Sequence, residues 1–296
     1  MRYRTAMATL SVVTSVVLMA VKLVAYQLTG SVVVLSDALE GVVNIVAGVF
    51  ALVAVRVADL PADENHPYGH GKVEFIAAAL EGGMILAAAA LIAYTASVDF
   101  LDKPEVTRPG LGTAIVLAAA AVNGIVGLLL VRAGRETHSP ALVSDGHHLL
   151  TDLMTSVFAA VALVLVAVTH RPIIDPILGL VAAGWIGRMG FKLVRTAIAG
   201  VMDEADPEDL EVLRQALDDL EEPLLLGYRE LRSRHQGALH RVEVSLLVSA
   251  DVSVGAGAGI AGRISRKLED ALGLASVTCR VEPASKDSGN GDAGES

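Results

Sequence analysis

The stretch LSDALEGVVN, residues 35–44, places two carboxylates and an amide inside a long apolar run. Asp37, Glu40 and Asn44 follow one another at spacings of three and four, so a helix presents them on one face. Carboxylates facing hydrocarbon are expensive, so that face must turn toward other protein or toward an ion. The stretch therefore reads as part of a membrane helix whose polar side meets a partner helix.

The composition around it agrees. The chain has 296 residues, 53% of them hydrophobic, and a mean hydropathy of +0.56. Charge is uneven: residues 203–296 hold 10 Lys and Arg against 19 Asp and Glu, a balance of −9 out of the chain's −10. The first two-thirds reads as a membrane region and the last third as an acidic soluble domain. That balance argues against nucleic acid as a partner. A single cysteine, Cys279, excludes an internal disulfide and a cysteine-based zinc finger. The opening residues 1–28 have basic flanks but run too long for a cleavable signal peptide and lead directly into another apolar span.

A bilayer crossing needs about 20 mostly apolar residues. Six segments qualify, near 7–28, 32–57, 73–98, 110–132, 142–168 and 173–196. An even number puts both termini on one side. Arg2, Arg4, Arg56, Lys72, Arg132, Arg135, Lys192 and Arg195 flank one face, and Lys103, Arg108 and Arg171 the other. The positive-inside rule then makes both termini cytoplasmic, in a multi-pass protein expected in the plasma membrane. After Met202, DPEDLEVLRQALDDL reads as an amphipathic helix, LLLGYRELRSRHQ and HRVEVSLLVSA as strands, GIAGRISRKLEDALG as a helix ended by Gly273, and ASVTCRVEP as a last strand. The organisation expected is a six-helix transport domain over 1–202, a small cytosolic α+β dimerisation domain over 203–283, and a disordered tail over 284–296.

The fifth span answers the second. Its VSDGHHLLTD, residues 143–152, repeats the pattern: Ser-Asp, a ligand-capable residue three further on, another four later. The two spans run in opposite directions. Packed side by side, they bring Glu40 level with Asp152 and Asn44 level with His148. Four oxygen and nitrogen ligands then converge in a near-tetrahedral site for a divalent cation, which would also neutralise the carboxylates. Asn44 taken alone reads equally well as a hydrogen bond between helices. The full set reads as a functional site. His147 points about 100° away from His148 and is not expected to ligate. Asp37 and Asp145, one turn off, are supporting groups, entrance charges or proton acceptors. Lys22 is expected to snorkel to the outer interface, Glu74 to be wetted near the cytoplasmic end, and Glu81, at greater depth, to support the site or to be linked to protons. Gly82, Gly83, Gly124, Gly127, Gly184 and Gly187 are read as close-packing positions.

A second cluster lies in PADENHPYGHGK, the connection after the second span. Asp63, His66 and His70 have a D-x2-H-x3-H spacing, and three such ligands on a short loop can hold zinc with water in the fourth position. By itself this stretch is an ordinary solvated loop; beside a metal path it becomes a place where ions bind or relay.

Spans, paired ligands, loop and soluble domain together resemble the cation diffusion facilitator family over nearly the whole chain. The resemblance implies a homodimer in the lipid bilayer that exports divalent metals, usually zinc, against an inward flow of protons. It implies a ferredoxin-like, metallochaperone-type cytosolic domain. It places the transport site on Glu40, Asn44, His148 and Asp152, the loop site on Asp63, His66 and His70, and a charge pair on Lys72 and Asp203. Zinc members of the family carry Asp or His, then Asp, on the second span. With Glu40 and Asn44 there and His148 neutral, this set carries −2, which leaves manganese, iron(II), cobalt and cadmium open beside zinc. The family's cytosolic histidines correspond to Tyr228, Ser245, Arg280 and Glu282, so the regulatory metal site is expected to be absent or rebuilt. An intramembrane metal-dependent hydrolase is the alternative from another class, but the chain has no H-E-x-x-H arrangement and no distinct base beside the histidine. A non-transporting metal sensor is the third reading.

Overall fold

A computed structural model describes residues 2–29, 32–102, 111–171 and 173–284. Lys103, Arg108 and the tail from 285 lie outside the described residues, as do the side chains of Asp37 and Glu40. The chain forms two compact units that divide between Val201 and Met202.

Among the described residues, the regular elements of the first unit are helices: α1 (Arg2–Thr29), α2 (Val32–Ala58), α3 (Val73–Asp102), α4 (Leu111–Glu136), α5 (Pro140–Thr169) and α6 (Ile174–Val201). Each of the six is long and apolar enough to cross a bilayer. Helices are the form in which an open chain segment satisfies its own backbone in lipid. α1 packs along α2, α3 along α6 and α4 along α5, while α2 and α5 also touch. Small residues permit the close approaches. A Cβ on Gly127 would sit 2.8 Å from the carbonyl oxygen of Gly146, and one on Gly146 would sit 2.7 Å from that of Gly127, so α4 and α5 cross backbone to backbone. Gly82 and Gly124 are similarly closed off, by Val194 and Leu153. Gly83 and Gly184 face open space, so the close-packing expectation fails for those two, and Gly187 makes only an ordinary contact with Ala89. The core where α1 to α5 meet is half alanine, with Val55, Val126, Leu130, Leu142 and Leu149 making up the rest.

Charges anchor one end of this bundle. Arg4 on α1 pairs with Glu74 at the start of α3, and with Asp59 at 3.2 Å. Ser139, just ahead of α5, also donates to Glu74. Glu74 is therefore fully buried and not wetted as its place in the sequence suggests. An ion pair and a hydroxyl replace the water it gives up. Lys22 is buried as well, against the expectation that it snorkels outward.

The second unit runs α7 (Pro207–Asp218), β1 (Leu225–Gln236), β2 (Leu239–Val248), α8 (Val254–Leu272) and β3 (Ala275–Pro283). The sheet order is β1-β2-β3, antiparallel at the hairpin and parallel between β2 and β3. A parallel neighbour needs a crossover, and α8 supplies it. Asp206 caps α7 by accepting from the Glu208 amide, Pro207 opens the first turn, and Ser253 caps α8. α8 stops at Gly273, whose φ of 79° suits glycine. Val242, Val244, Leu246 and Val248 of β2 pack with Leu213, Leu217, Ile260, Ile264 and Leu268 to form the core. The αββαβ unit expected after residue 202 is present element by element.

Candidate metal centres

Among the described residues, three places bring ligand-capable side chains together. The first is between α2 and α5. Asn44 donates through Nδ2 to Asp152 Oδ2 at 2.5 Å, and its Oδ1 lies 3.0 Å from His148 Nε2. Asn44 and His148 are 5% and 6% exposed. One amide thus bridges the two α5 residues that the spacing of four places on one face. The structure brings Asn44 level with His148, as the sequence suggests, and within reach of Asp152 as well. The expected partnership of Glu40 with Asp152 falls on a side chain outside the described residues; Glu40 lies one turn before Asn44 on α2. Asp145, one turn before His148, is fully buried. Glu81, also fully buried, accepts from Ser144 and so links α3 to the same stretch of α5. His147 is half-buried and takes no part in the Asn44 contacts.

This group is chemically coherent for a cation. Amide oxygen, imidazole nitrogen and carboxylate oxygen meet within hydrogen-bonding distance in a water-poor place. A divalent ion entering them would displace an N–H···O contact and take the acceptor atoms as ligands.

The second place is the exposed loop between α2 and α3. Asp63 accepts from the backbone N–H groups of Asn65 and His66 at 3.0 and 2.6 Å. Its Oδ1 lies 3.0 Å from His66 Nδ1, and its Oδ2 lies 3.4 Å from His70 Nε2. The two imidazole centroids are 4.4 Å apart. The turn that folds them together contains Gly69 at φ 90°, whose N–H bonds the His66 carbonyl at 2.9 Å. The His66 backbone N–H holds the Asp63 carboxyl below its ordinary range, which favours the charged, ligating form. All three predicted loop residues therefore offer ligand atoms within 4.8 Å of one another.

The third place joins His235 and His240, the two histidines the chain retains after residue 202, to Asp209, which the sequence does not single out. In the second unit, Asp209, His235 and His240 also offer ligand atoms within 4.8 Å. Asp209 looks in sequence like an ordinary acidic residue of a helix's first turn. Its pairing with two histidines from a distant hairpin is tertiary. Burial opposes its ionisation, yet hydrogen bonds from His235 and His240 hold its carboxyl well below the usual range. The positions matched to the family's cytosolic histidines are occupied differently. Ser245 donates to Glu282 at 3.2 Å, Arg229 pairs with Glu282, and Arg280 lies 3.6 Å from it. Guanidinium groups stand where a bound cation would neutralise the carboxylate. Tyr228 reaches Asp218 instead, at 3.4 Å. Lys72 donates to the Val201 carbonyl at 3.1 Å, and Asp203 pairs with Arg234 at 3.2 Å.

Comparison with known proteins bears on these places. Residues 8–202 match the family model of the cation efflux transmembrane domain. The chain is 34% identical over 277 residues to an uncharacterised transporter of Synechocystis sp., covering 93% of this chain and 89% of that protein. It is 28% identical over 273 residues to the cation-efflux pump FieF of Shewanella oneidensis, covering 92% of each. It is 27% identical over 250 residues to the magnetosome protein MamB of Paramagnetospirillum magneticum, covering 83% and 82%. The family's members are transporters, which removes the hydrolase alternative. With six spans, a following αββαβ unit and this match across the membrane region, the chain belongs to the cation diffusion facilitator family of metal-cation efflux transporters.

Proposed function

We propose that the chain exports a divalent transition metal, with zinc first on family grounds, by antiport against protons. The observation that carries this reading is the convergence of Asn44, His148 and Asp152 between α2 and α5. Glu40 completes the set from one turn away on α2. The ligands bind metal only when deprotonated, so metal release leaves His148 and the carboxylates able to take up protons. Exchange of metal for protons then follows from the chemistry of the site. The loop residues Asp63, His66 and His70 form an accessory site beside the entrance. The acidic soluble unit raises the local cation concentration on the side from which metal enters. We place both termini in the cytoplasm and the working protein as a homodimer in the plasma membrane, on charge distribution and family resemblance.

The test is metal uptake into proteoliposomes with a panel of zinc, manganese, iron(II), cobalt and cadmium, with a pH dye inside. Metal influx with proton efflux from the vesicle is expected. Asp152→Ala removes a charge and a ligand while leaving the helix intact, and should abolish transport in a protein that still elutes as the parent does. Transport by that variant at the parental rate would remove Asp152 from the site.

A further inference from the structure

His235 and His240 are direct cross-strand partners on β1 and β2, two residues either side of the Gly237–Ala238 turn. Opposed residues of an antiparallel pair hold their side chains close on one face of the sheet. Their rings lie 4.3 Å apart, tilted at 55°. Asp209, in the first turn of α7, comes over that face. Its Oδ2 is 2.7 Å from His240 Nδ1 and 3.0 Å from His235 Nε2. The side chains are 3%, 19% and 13% exposed for His240, His235 and Asp209. A fourth group stands near: Asp206 Oδ2, 4.0 Å from His235 Nε2.

His240 Nδ1 is thus hydrogen-bonded to one carboxylate oxygen and His235 Nε2 lies close to the same atom, in a sheltered place, from three separate elements. Ligands around a tetrahedral ion with bonds of about 2.0 Å stand about 3.3 Å apart. The observed 2.7 and 3.0 Å need to open by about 0.6 and 0.3 Å to admit one. Two imidazoles and a carboxylate form a borderline set that takes zinc or cobalt over magnesium or calcium. With neutral histidines the set carries −1, so a 2+ ion is compensated in part, and Asp206 or water can fill a fourth position.

We propose that Asp209, His235 and His240 form a divalent transition-metal site within the soluble unit, one that pins the first turn of α7 to the β1–β2 hairpin. It lies away from the Tyr228, Ser245, Arg280 and Glu282 positions that correspond to the family's cytosolic histidines. It does not depend on the transport reading, because none of its ligands belongs to the membrane unit. A bound ion cross-links residues 209, 235 and 240, so metal in the cell would set how firmly α7 holds to the sheet.

The experiment uses the full-length chain in detergent carrying His66→Ala, His70→Ala, His148→Ala and Asp152→Asn, which empties the other two places. Cobalt(II) is titrated and read by visible ligand-field absorption and by calorimetry. The proposal expects one cobalt per chain, lost on adding His240→Gln, His235→Gln or Asp209→Asn, and a zinc-dependent rise in melting temperature that the same changes remove. His235 is the most exposed of the three, so His235→Gln keeps the test alive where His240→Gln disturbs the fold. No stoichiometric cobalt in the background protein, or a cobalt equivalent that survives His235→Gln and Asp209→Asn alike, overturns the site and identifies the cluster as a hydrogen-bonded His-Asp-His brace. Transport by the parent chain is unaffected by either result, so the two readings fail separately.

Discussion

Asn44 on α2 and Asp152 on α5 stand 2.5 Å apart, 108 positions distant in the chain, with the amide donating to the carboxylate. The contact makes Asn44 the position at which the proposed site's selectivity can be tested. As a ligand it gives a neutral oxygen, which suits manganese or iron(II) as well as zinc. Asn44→Asp adds a charge and should raise the ratio of zinc to manganese uptake in vesicles. If Asn44 is only a brace, the change places two carboxylates together in a buried site and lowers transport of every metal alike. An unchanged ratio with a uniform fall would take Asn44 out of the ligand set.

Arg4 neutralises a carboxylate that has no exposure of its own, Glu74. Arg4→Ala leaves that charge buried and should destabilise the bundle by about 3 kcal/mol or more. Replacing both partners with apolar residues, Arg4→Met with Glu74→Leu, should recover much of the loss. Thermal melting in detergent of the parent, both single variants and the double variant measures the coupling. Additive single effects would mean that the pair does not act as a unit.

Gly69 lets the loop turn back at a positive φ. Gly69→Ala strains that turn by about 1 kcal/mol and should weaken zinc binding by Asp63, His66 and His70 by several-fold, up to about tenfold for 1.4 kcal/mol. Calorimetry on full-length protein carrying Asp152→Ala, His148→Ala, His235→Gln and His240→Gln isolates the loop. Equal zinc affinity with and without Gly69→Ala in that background would show that the turn is not what assembles the cluster.

Glu282 is held below its ordinary range, chiefly by the hydrogen bond from Arg229, with Ser245 and Arg280 adding to it. A carboxylate with a depressed folded-state value stabilises the fold above its unfolded value and loses that contribution as pH falls through the folded one. The second unit should therefore lose stability below about pH 4.3, the ordinary glutamate value. In Arg229→Ala the depression is relieved, and the fall in melting temperature from about pH 5 to pH 3 should be shallower. The same slope in parent and variant would mean that other carboxylates govern acid sensitivity.

Sequence periodicity and composition alone determined the six spans, the αββαβ order after Met202 and the matched motifs of the second and fifth helices. These are properties of neighbours within a few positions: apolar length, helical spacing and strand alternation. The spacing of four on α5 puts His148 and Asp152 on one face whatever the packing, and the loop motif places Asp63, His66 and His70 within reach of one another. What only the tertiary structure decided are relations between distant segments. That Asn44 reaches Asp152 as well as His148 depends on how α2 settles against α5. That Glu74 is dry depends on Arg4, 70 positions away. That Asp209 meets His235 and His240 depends on α7 lying over the hairpin, and a lone acidic residue in a helix's first turn carries no local sign of it. Side-chain spacing is set by the backbone's own geometry, whereas burial and partnership across elements are set by packing, in which each group's solvation depends on every neighbour at once.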